Sequence, residues 1–247
     1  MKNVLITGAS SGIGKALSYE FAKGNYNLAL TARRIEELAK IRHDIKQKYP
    51  SINIEVSSLD VTDYSAVPIV INNFINCLNE VDIVIVNAGI GLGEKIGRGE
   101  FDKAKRTIET NLIGAIATID AASAYFLEKG KGHIVGISSV AAFRGMPRSS
   151  AYCASKAGLA IYLEALRAEF YGKDIDVTVL FPGYIDTPLN NMLPNRPFLI
   201  SVEKGASIIR RLIEKKIKSS TVPAFPWNII GQLIKVLPTP IVSKISG

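Results

Sequence analysis

The sequence predicts an α/β fold: a doubly wound parallel sheet with helices on both faces, spanning residues 1–247 as a single domain. Three observations carry this. Short apolar runs of strand length alternate with stretches of helical period along the chain, with no linker, repeat or low-complexity segment between them. The first run leads directly into a glycine-rich turn and then a helix. Small and polar residues cluster where the apolar runs end, which in such sheets is where ligands bind. At 47 % hydrophobic, the 247 residues hold ample material for one core.

Asn3-Val-Leu-Ile-Thr7 is the first strand. It is followed by Gly8-Ala-Ser-Ser-Gly12-Ile-Gly14 and a helical pattern to Lys23. Strand, glycine turn and helix in that order cradle a pyrophosphate, because glycines admit close backbone approach and the helix N-terminus offers free N–H groups. The spacing is G-x-x-x-G-x-G, not the commoner G-x-G-x-x-G of dinucleotide sites. Tyr26 to Thr31 is the second strand, and its end belongs beside an adenosine ribose. It carries Thr31-Ala32-Arg33-Arg34 and no carboxylate. A carboxylate there suits the 2′-hydroxyl of NAD, whereas arginine suits a 2′-phosphate. The reading is therefore NADP(H), with NAD(H) possible; the alternative is that both arginines only open a solvated helix.

A helix follows to Lys48, then a strand around Ile52–Val56 leading to Leu59-Asp60-Val61. Asp60 is placed to accept from an adenine amino group with Val61 against the ring, or else to cap the next helix, expected over roughly 63–78. Val81 to Val86 reads as a central buried strand ending in Asn87-Ala88-Gly89, small enough for a flat cofactor to cross. Residues 90–99 are expected as a loop at the mouth of the site. A long helix is expected from about Glu100 to Lys129 with Asn111 inside it; buried, that amide needs partners.

The apolar run from His133 to Ser138 ends in Ser139, and a helix is expected over 150–171 with Tyr152 and Lys156 one turn apart on one face. A neighbouring ammonium stabilises phenolate. Lowering a tyrosine from about 10 by roughly three units, about 4 kcal/mol, makes it an acid/base near neutral pH. Asp176 to Phe181 is another strand, ending in Pro182-Gly183-Tyr-Ile-Asp-Thr187. A helix about 202–216 and a short strand near Thr221-Val222 complete the core. The amphipathic tail, about 226–247, has Ile229, Ile230, Leu233, Ile234 and Leu237 at helical spacing around Trp227, with Pro238 and Pro240 ending the pattern. Packing on its own domain or on a second subunit is the expectation for the tail; a membrane surface is the alternative.

Composition excludes several classes. The net charge of +8 comes from basic residues interspersed with acidic ones, with no basic stripe interleaved with aromatics, so nucleic acid is not expected as a partner. Two cysteines, Cys77 and Cys153, and two histidines lack metal-site spacing, so no metal is expected. No run of eighteen or more apolar residues is seen, and the start is too short for a signal-peptide core; a reducing, cytoplasmic setting is the expectation.

Taken together, Thr7-Gly8-x-x-x-Gly12-x-Gly14, Asp60-Val61, Asn87-Ala88-Gly89, Asn111, Ser139, Tyr152-x-x-x-Lys156, and Pro182-Gly183 with Thr187 resemble the short-chain dehydrogenase/reductase family over nearly the whole chain. The resemblance implies a Rossmann-like fold and an NAD(P)-dependent oxidoreductase acting on a carbonyl or alcohol, usually a homodimer or homotetramer. It implies catalytic roles for Asn111 (holding a water that links Lys156 to solvent), Ser139 (binding the substrate oxygen), Tyr152 (proton donor or acceptor) and Lys156 (lowering the tyrosine and holding the nicotinamide ribose). Cofactor contacts are implied at Gly8, Ser10, Ser11, Gly12, Ile13, Gly14, Arg33, Arg34, Asp60, Val61, Asn87, Ala88, Gly89, Tyr152, Lys156, Pro182, Gly183, Ile185 and Thr187. NADP-preferring members often carry a basic residue where this chain has Ser11, so recognition of a 2′-phosphate rests on Arg33, helped by Arg34. Residues 90–98, 140–148 and 184–200 are expected to frame a mostly apolar pocket for a hydrophobic ketone, aldehyde or secondary alcohol. Arg144 and Arg148 are its polar exceptions. An NAD-dependent alcohol dehydrogenase and a non-catalytic dinucleotide-binding scaffold are the other readings; the complete Asn111, Ser139, Tyr152, Lys156 set argues against the scaffold.

Overall fold

The computed structural model describes residues 1–193 and 195–245. Pro194, in the segment expected to frame a pocket, and Ser246 and Gly247, at the end of the expected tail, lie outside the described residues. Seven strands form one parallel sheet: β1 (Asn3–Thr7), β2 (Asn27–Ala32), β3 (Ile54–Ser58), β4 (Ile83–Val86), β5 (Lys131–Ile137), β6 (Asp174–Pro182) and β7 (Ser219–Val222). Their order is β3-β2-β1-β4-β5-β6-β7, and every neighbouring pair is parallel. After β3 the chain crosses to the other side of β1 to make β4. The connections leaving β1 and β4 therefore diverge, and a crevice opens at their carboxyl ends.

Nine α-helices cover the sheet and its edge: α1 (Gly12–Lys23), α2 (Ile35–Lys48), α3 (Ala66–Leu78), α4 (Phe101–Ile108), α5 (Gly114–Lys129), α6 (Ser150–Glu169), α7 (Val202–Glu214), α8 (Trp227–Val236) and α9 (Thr239–Ile245), counted among the described residues. Alternation along β1 shows how the two layers divide. Leu5 joins Phe74, Ile119, Phe126, Leu159 and Leu163 beneath α3, α5 and α6. Val4 and Ile6 join Leu17, Phe21, Leu38, Ile41, Ile209 and Ile213 beneath α1, α2 and α7. Covered on both faces, β4 is apolar and buried at all four positions.

Several boundaries differ from the sequence expectation for local reasons. α3 starts at Ala66, not near 63, because Asp63 first closes a turn, accepting from Ser65 Oγ and Ala66 N at 2.7 and 3.2 Å. The long helix is not uniform: between α4 and α5, Glu109–Ile113 forms a π-helical turn. Residues 101–129 are long and apolar enough, by length and composition alone, to cross a membrane. Ile119, Ala122 and Phe126 on that path are instead buried against the sheet. Pro238 follows the end of α8, as expected, but Pro240 falls in the first turn of α9, where its missing N–H costs nothing. The tail is thus two helices where one was expected.

Candidate active site

Thr7 ends β1 and begins the site. Its Oγ1 accepts from Asn87 N (3.0 Å) and Ala88 N (3.2 Å), and Asn87 Nδ2 donates to Thr7 O (2.9 Å) and Gly8 O (3.3 Å). These bonds draw the end of β4 against the glycine turn. Gly8 has φ +69°, and a β-carbon there would lie 2.7 Å from Ala88 Cα; one at Gly14 would run into the Gly8 carbonyl. Both glycines are therefore demanded by close approach, and Gly8 by its backbone conformation as well. Ser11, the N-cap of α1, makes no side-chain cap bond, and the first turn holds no acidic residue. The leading N–H groups of α1 and its positive dipole end are left for an anion. Ser10 is buried, and Ile13 packs against the α1 side of the core.

The two arginines separate. Arg34 Nη2 donates to Ser10 Oγ (3.1 Å) and Ser11 Oγ (2.9 Å), holding a guanidinium against the glycine turn. Arg33 turns the other way and pairs with Asp60 at 3.8 Å across the end of β3. Both partners of that pair are substantially exposed, so it adds little stability. The expectation put Arg33 first at the phosphate; in the structure Arg34 is the arginine on the turn. Asp60 Oδ1 accepts from Thr62 N (3.0 Å) and Thr62 Oγ1 (2.8 Å) in a local turn, and so does not cap α3, which starts only at Ala66. Val61 is buried in the core against Gly114. The uncapped α1 N-terminus, the glycine turn and Arg34 fit a pyrophosphate-bearing dinucleotide.

The end of β5 and the first turns of α6 bring the other residues together. Ser138 Oγ donates to Lys156 O (2.8 Å), while Lys156 Nζ donates to Ile137 O (2.8 Å). This two-way clasp holds α6 on β5. Ser139 starts a 3-10 turn, Val140–Phe143, its Oγ accepting from Ala141 N at 3.1 Å and donating to Pro182 O at 3.5 Å. Asn111 sits in the π turn with no exposed surface. Its Oδ1 accepts from Ile90 N (2.7 Å), and its Nδ2 donates to Ile90 O (2.8 Å) and Ser155 Oγ (3.2 Å). The amide thus pins the mouth loop to the π turn and α6. Gly89 lies between Asn111 and Lys156: a β-carbon there would be 3.2 Å from Asn111 Oδ1 and 3.4 Å from Lys156 Nζ.

The protonation balance of the Tyr152–Lys156 pair corrects the sequence reading. Tyr152 is pushed up to about 12 by desolvation, with the Ser139 hydroxyl pulling the other way; it is not lowered. Burial also pushes Lys156 down, to about 8. The Lys156 ammonium stands 5.8 Å from the Tyr152 ring centroid and bonds a carbonyl of β5. Helical spacing made the two neighbours, but desolvation penalises the charged forms of both.

Beyond β6, Gly183 N donates to Val222 O (2.9 Å), and the Trp227 indole of α8 packs directly on Gly183. Ile185 is buried and bridges to Ile200. Thr187 is buried against the glycine turn, where a β-carbon at Gly12 would lie 3.5 Å from it. A β-carbon at Gly91 would stand 3.5 Å from Leu189 and 3.7 Å from Tyr152, so the mouth loop and the segment after β6 meet over the phenol. Arg144, expected as a polar exception in the pocket, donates to Lys235 O (3.3 Å) and Leu237 O (3.1 Å) at the end of α8. Sequence reasoning missed Glu94. Although in the glycine-rich loop, it is 5 % exposed, and its Oε1 accepts from Ser150 Oγ and Ala151 N, both at 2.6 Å. It caps α6 next to Tyr152 from 56 residues away. The one available signal was a lone carboxylate amid Gly93 and Gly97.

Comparison with known proteins agrees with this geometry. Residues 2–196 match the short chain dehydrogenase family. The chain belongs to the short-chain dehydrogenase/reductase family. This dehydrogenase/reductase is 40 % identical over 238 residues to an uncharacterized oxidoreductase of Mycobacterium tuberculosis, spanning 96 % of this chain and 94 % of that one. It is 36 % identical over 188 residues to the NADP-dependent 3-hydroxy acid dehydrogenase of Schizosaccharomyces pombe, spanning 75 % and 72 %. Among solved structures, an alcohol dehydrogenase of the archaeon Thermococcus sibiricus complexed with 5-hydroxy-NADP matches with a TM-score of 0.81 at 27 % identity, covering 90 % of this chain and 95 % of that one. The protein is an NAD(P)-dependent oxidoreductase acting on the CH–OH/C=O couple.

Proposed function

We propose that this dehydrogenase/reductase uses NADP(H) to interconvert a hydrophobic ketone or aldehyde and its alcohol. The observation that carries the coenzyme choice is the Arg34 guanidinium bonded to Ser10 and Ser11 on the glycine turn, beside a β2 end without a carboxylate. A 2′-phosphate would gain a charge-assisted partner there and meet no carboxylate from the end of β2. Two of the relatives reported above carry NADP in their descriptions, which supports the same choice.

Bound at the crevice, the nicotinamide supplies or takes up the hydride. The chain's own residues handle the proton and the oxygen. Ser139 Oγ, just past the end of β5, donates to the substrate oxygen and steadies its developing charge. Tyr152 Oη gives the proton in reduction and takes it in oxidation. Raised to about 12, the phenol stays protonated until it is needed as an acid. Lys156, lowered to about 8 by burial, supplies when protonated the positive charge that favours phenolate in the reverse direction. Leu189 stands beside Tyr152 at Gly91, and Leu92, Leu193 and Phe198 are exposed in the same two segments, which suits an apolar substrate body.

The test is a fluorescence titration with NADPH and NADH in parallel on the wild type, Arg34→Ala and Arg33→Ala. The expected result is tighter NADPH binding, weakened about tenfold in Arg34→Ala with NADH affinity unchanged and a smaller effect in Arg33→Ala, in line with loss of one charge-assisted pair. Equal or tighter NADH binding by the wild type overturns the coenzyme assignment. A carbonyl panel in which only polar polyols react overturns the substrate class.

A further inference from the structure

The tail leaves part of its apolar surface uncovered. α8 buries Trp227 and Gly231 and half-buries Ile230 and Ile234 on its own domain, in line with the packing expected of it. Ile229, Leu233 and Val236, at i, i+4 and i+7, form a stripe on the outward side, flanked by Asn228, Gln232 and Lys235. Phe225, 73 % exposed, stands just before the helix, and Ile241 is exposed on α9. The segment after β6 adds Leu189, Met192, Leu193, Phe198 and Leu199, and the Phe198 ring meets Trp227 edge-on at 5.9 Å. These two stretches, 189–199 and 225–241, hold ten of the twenty large apolar side chains exposed among the described residues. They adjoin the catalytic cleft, because Leu189 and Tyr152 both approach Gly91.

We propose that this face, centred on the outward stripe of α8, docks on the surface of an anionic lipid bilayer. Charge selects that occupant. From Pro223 to Gly247 the sequence carries Lys235 and Lys244 and no Asp or Glu. Lys235 is exposed, its ammonium 5.1 Å from the Phe143 ring, and Lys244 is exposed on α9. An apolar stripe bordered by amides and lysines is the pattern that lies in a headgroup layer, apolar side inward and cations against lipid phosphates. Size argues against a second copy held by the α8 stripe alone. A ten-residue helix is about 15 Å long and about 10 Å wide, so its outward face offers on the order of 150 Å², against about 800 Å² per partner in a standard interface. A bilayer needs no matching partner surface, and a cleft mouth beside it would receive apolar substrate from the lipid phase; this last clause rests on the substrate class proposed above.

Vesicle co-sedimentation tests it on the full-length protein. The probes are phosphatidylcholine vesicles with and without phosphatidylglycerol. The expected result is binding to the phosphatidylglycerol vesicles, reduced at least tenfold in Ile229→Gln/Leu233→Gln/Val236→Gln and sensitive to high salt. Lys235→Gln/Lys244→Gln should lose the preference for the anionic vesicles. Coenzyme-dependent activity on a water-soluble carbonyl should stay within about twofold of wild type in the triple variant, showing that it is folded. Equal sedimentation of wild type and triple variant, or none by either, overturns the proposal. So does a triple variant of lower solution mass than wild type by light scattering, which would give the stripe to a second copy. Lack of carbonyl turnover with vesicle binding intact would instead count against the proposed substrate class alone.

Discussion

Replacing Glu94 by alanine tests whether the loop carboxylate sets the catalytic helix. Glu94 Oε1 is the acceptor for Ser150 Oγ and for the Ala151 N–H, and Ser149, the N-cap of α6, makes no side-chain cap bond of its own. Glu94 N also donates to Arg148 O at 3.1 Å, so the loop grips the start of α6 twice. Hydrogen bonds to a charged acceptor contribute about 1.5–3 kcal/mol each. Set against this, Glu94 Oε2 is buried without a partner, and alanine removes that desolvation cost. The expected net loss is about 2 kcal/mol, near the upper end for a helix cap. For a chain of this size that is a fall in Tm of about 4–8 °C. Tyr152 follows Ala151 directly, and a displacement of about 1 Å at a reacting group costs up to about a hundredfold in rate. Glu94→Ala should therefore lower kcat about ten- to a hundredfold at 25 °C, with coenzyme affinity within about threefold. Glu94→Gln keeps the acceptor oxygen as a neutral, weaker acceptor, and should lose part of the stability while keeping kcat within about threefold of wild type. Glu94→Asp keeps the charge but is one methylene short, and should resemble alanine. Thermal unfolding, steady-state kinetics and coenzyme titration on the four proteins decide it. A lowered Tm with unchanged kcat in Glu94→Ala would reduce the residue to a stabilising cap. A glutamine variant as slow as alanine would mean that the charge acts, not the bond geometry.

Two further outcomes follow from the buried groups. Tyr152→Phe should lower turnover at least about a thousandfold while coenzyme binding by fluorescence stays within about threefold; activity near wild type would refute the proton-transfer role. His133, on β5 and hydrogen-bonded to Thr178 Oγ1 at 2.8 Å, is held down to about 4 by burial. Its folded value lies below the unfolded value of about 6.5, so the unfolded chain takes up the proton first as the pH falls. The stability it contributes is complete above about pH 6.5 and is lost progressively as the pH falls through 4, amounting to about 3 kcal/mol. Denaturant titrations across that range should show this loss in the wild type and a flatter profile in His133→Asn; identical profiles would refute it.

The strand ends were legible because each announces itself in one dimension. A buried parallel strand is a short apolar run, and Thr7, Asn87, Ser139 and Pro182 stand where such runs stop. The residues that sequence could not place depend on directions that composition does not encode. Arg33 and Arg34 are identical neighbours; the backbone at the end of β2 sends one to Asp60 and the other to the glycine turn. Glu94 lies in a loop without periodicity, and its partners are 56 and 57 residues away. The π turn at 109–113 changes hydrogen-bond register without disturbing the apolar pattern that made the helix readable.

That π turn explains how the site is tied together. A buried amide at Asn111 is tolerable only with its donors and acceptor engaged, and the turn sets it between two chain segments that can do so. On one side it holds Ile90, and with it the loop that runs on to Glu94; on the other it bonds Ser155, whose Oγ donates to Tyr152 O at 2.8 Å. Glu94 then reaches the first turn of α6 from that same loop, and the Ser138–Lys156 clasp fixes the helix to β5. Tyr152 is thus held from three directions, by a π turn, a loop and a strand end. Preorganisation of that kind matters for a phenol pushed up to about 12, because a weak acid transfers its proton efficiently only when the acceptor is already in place.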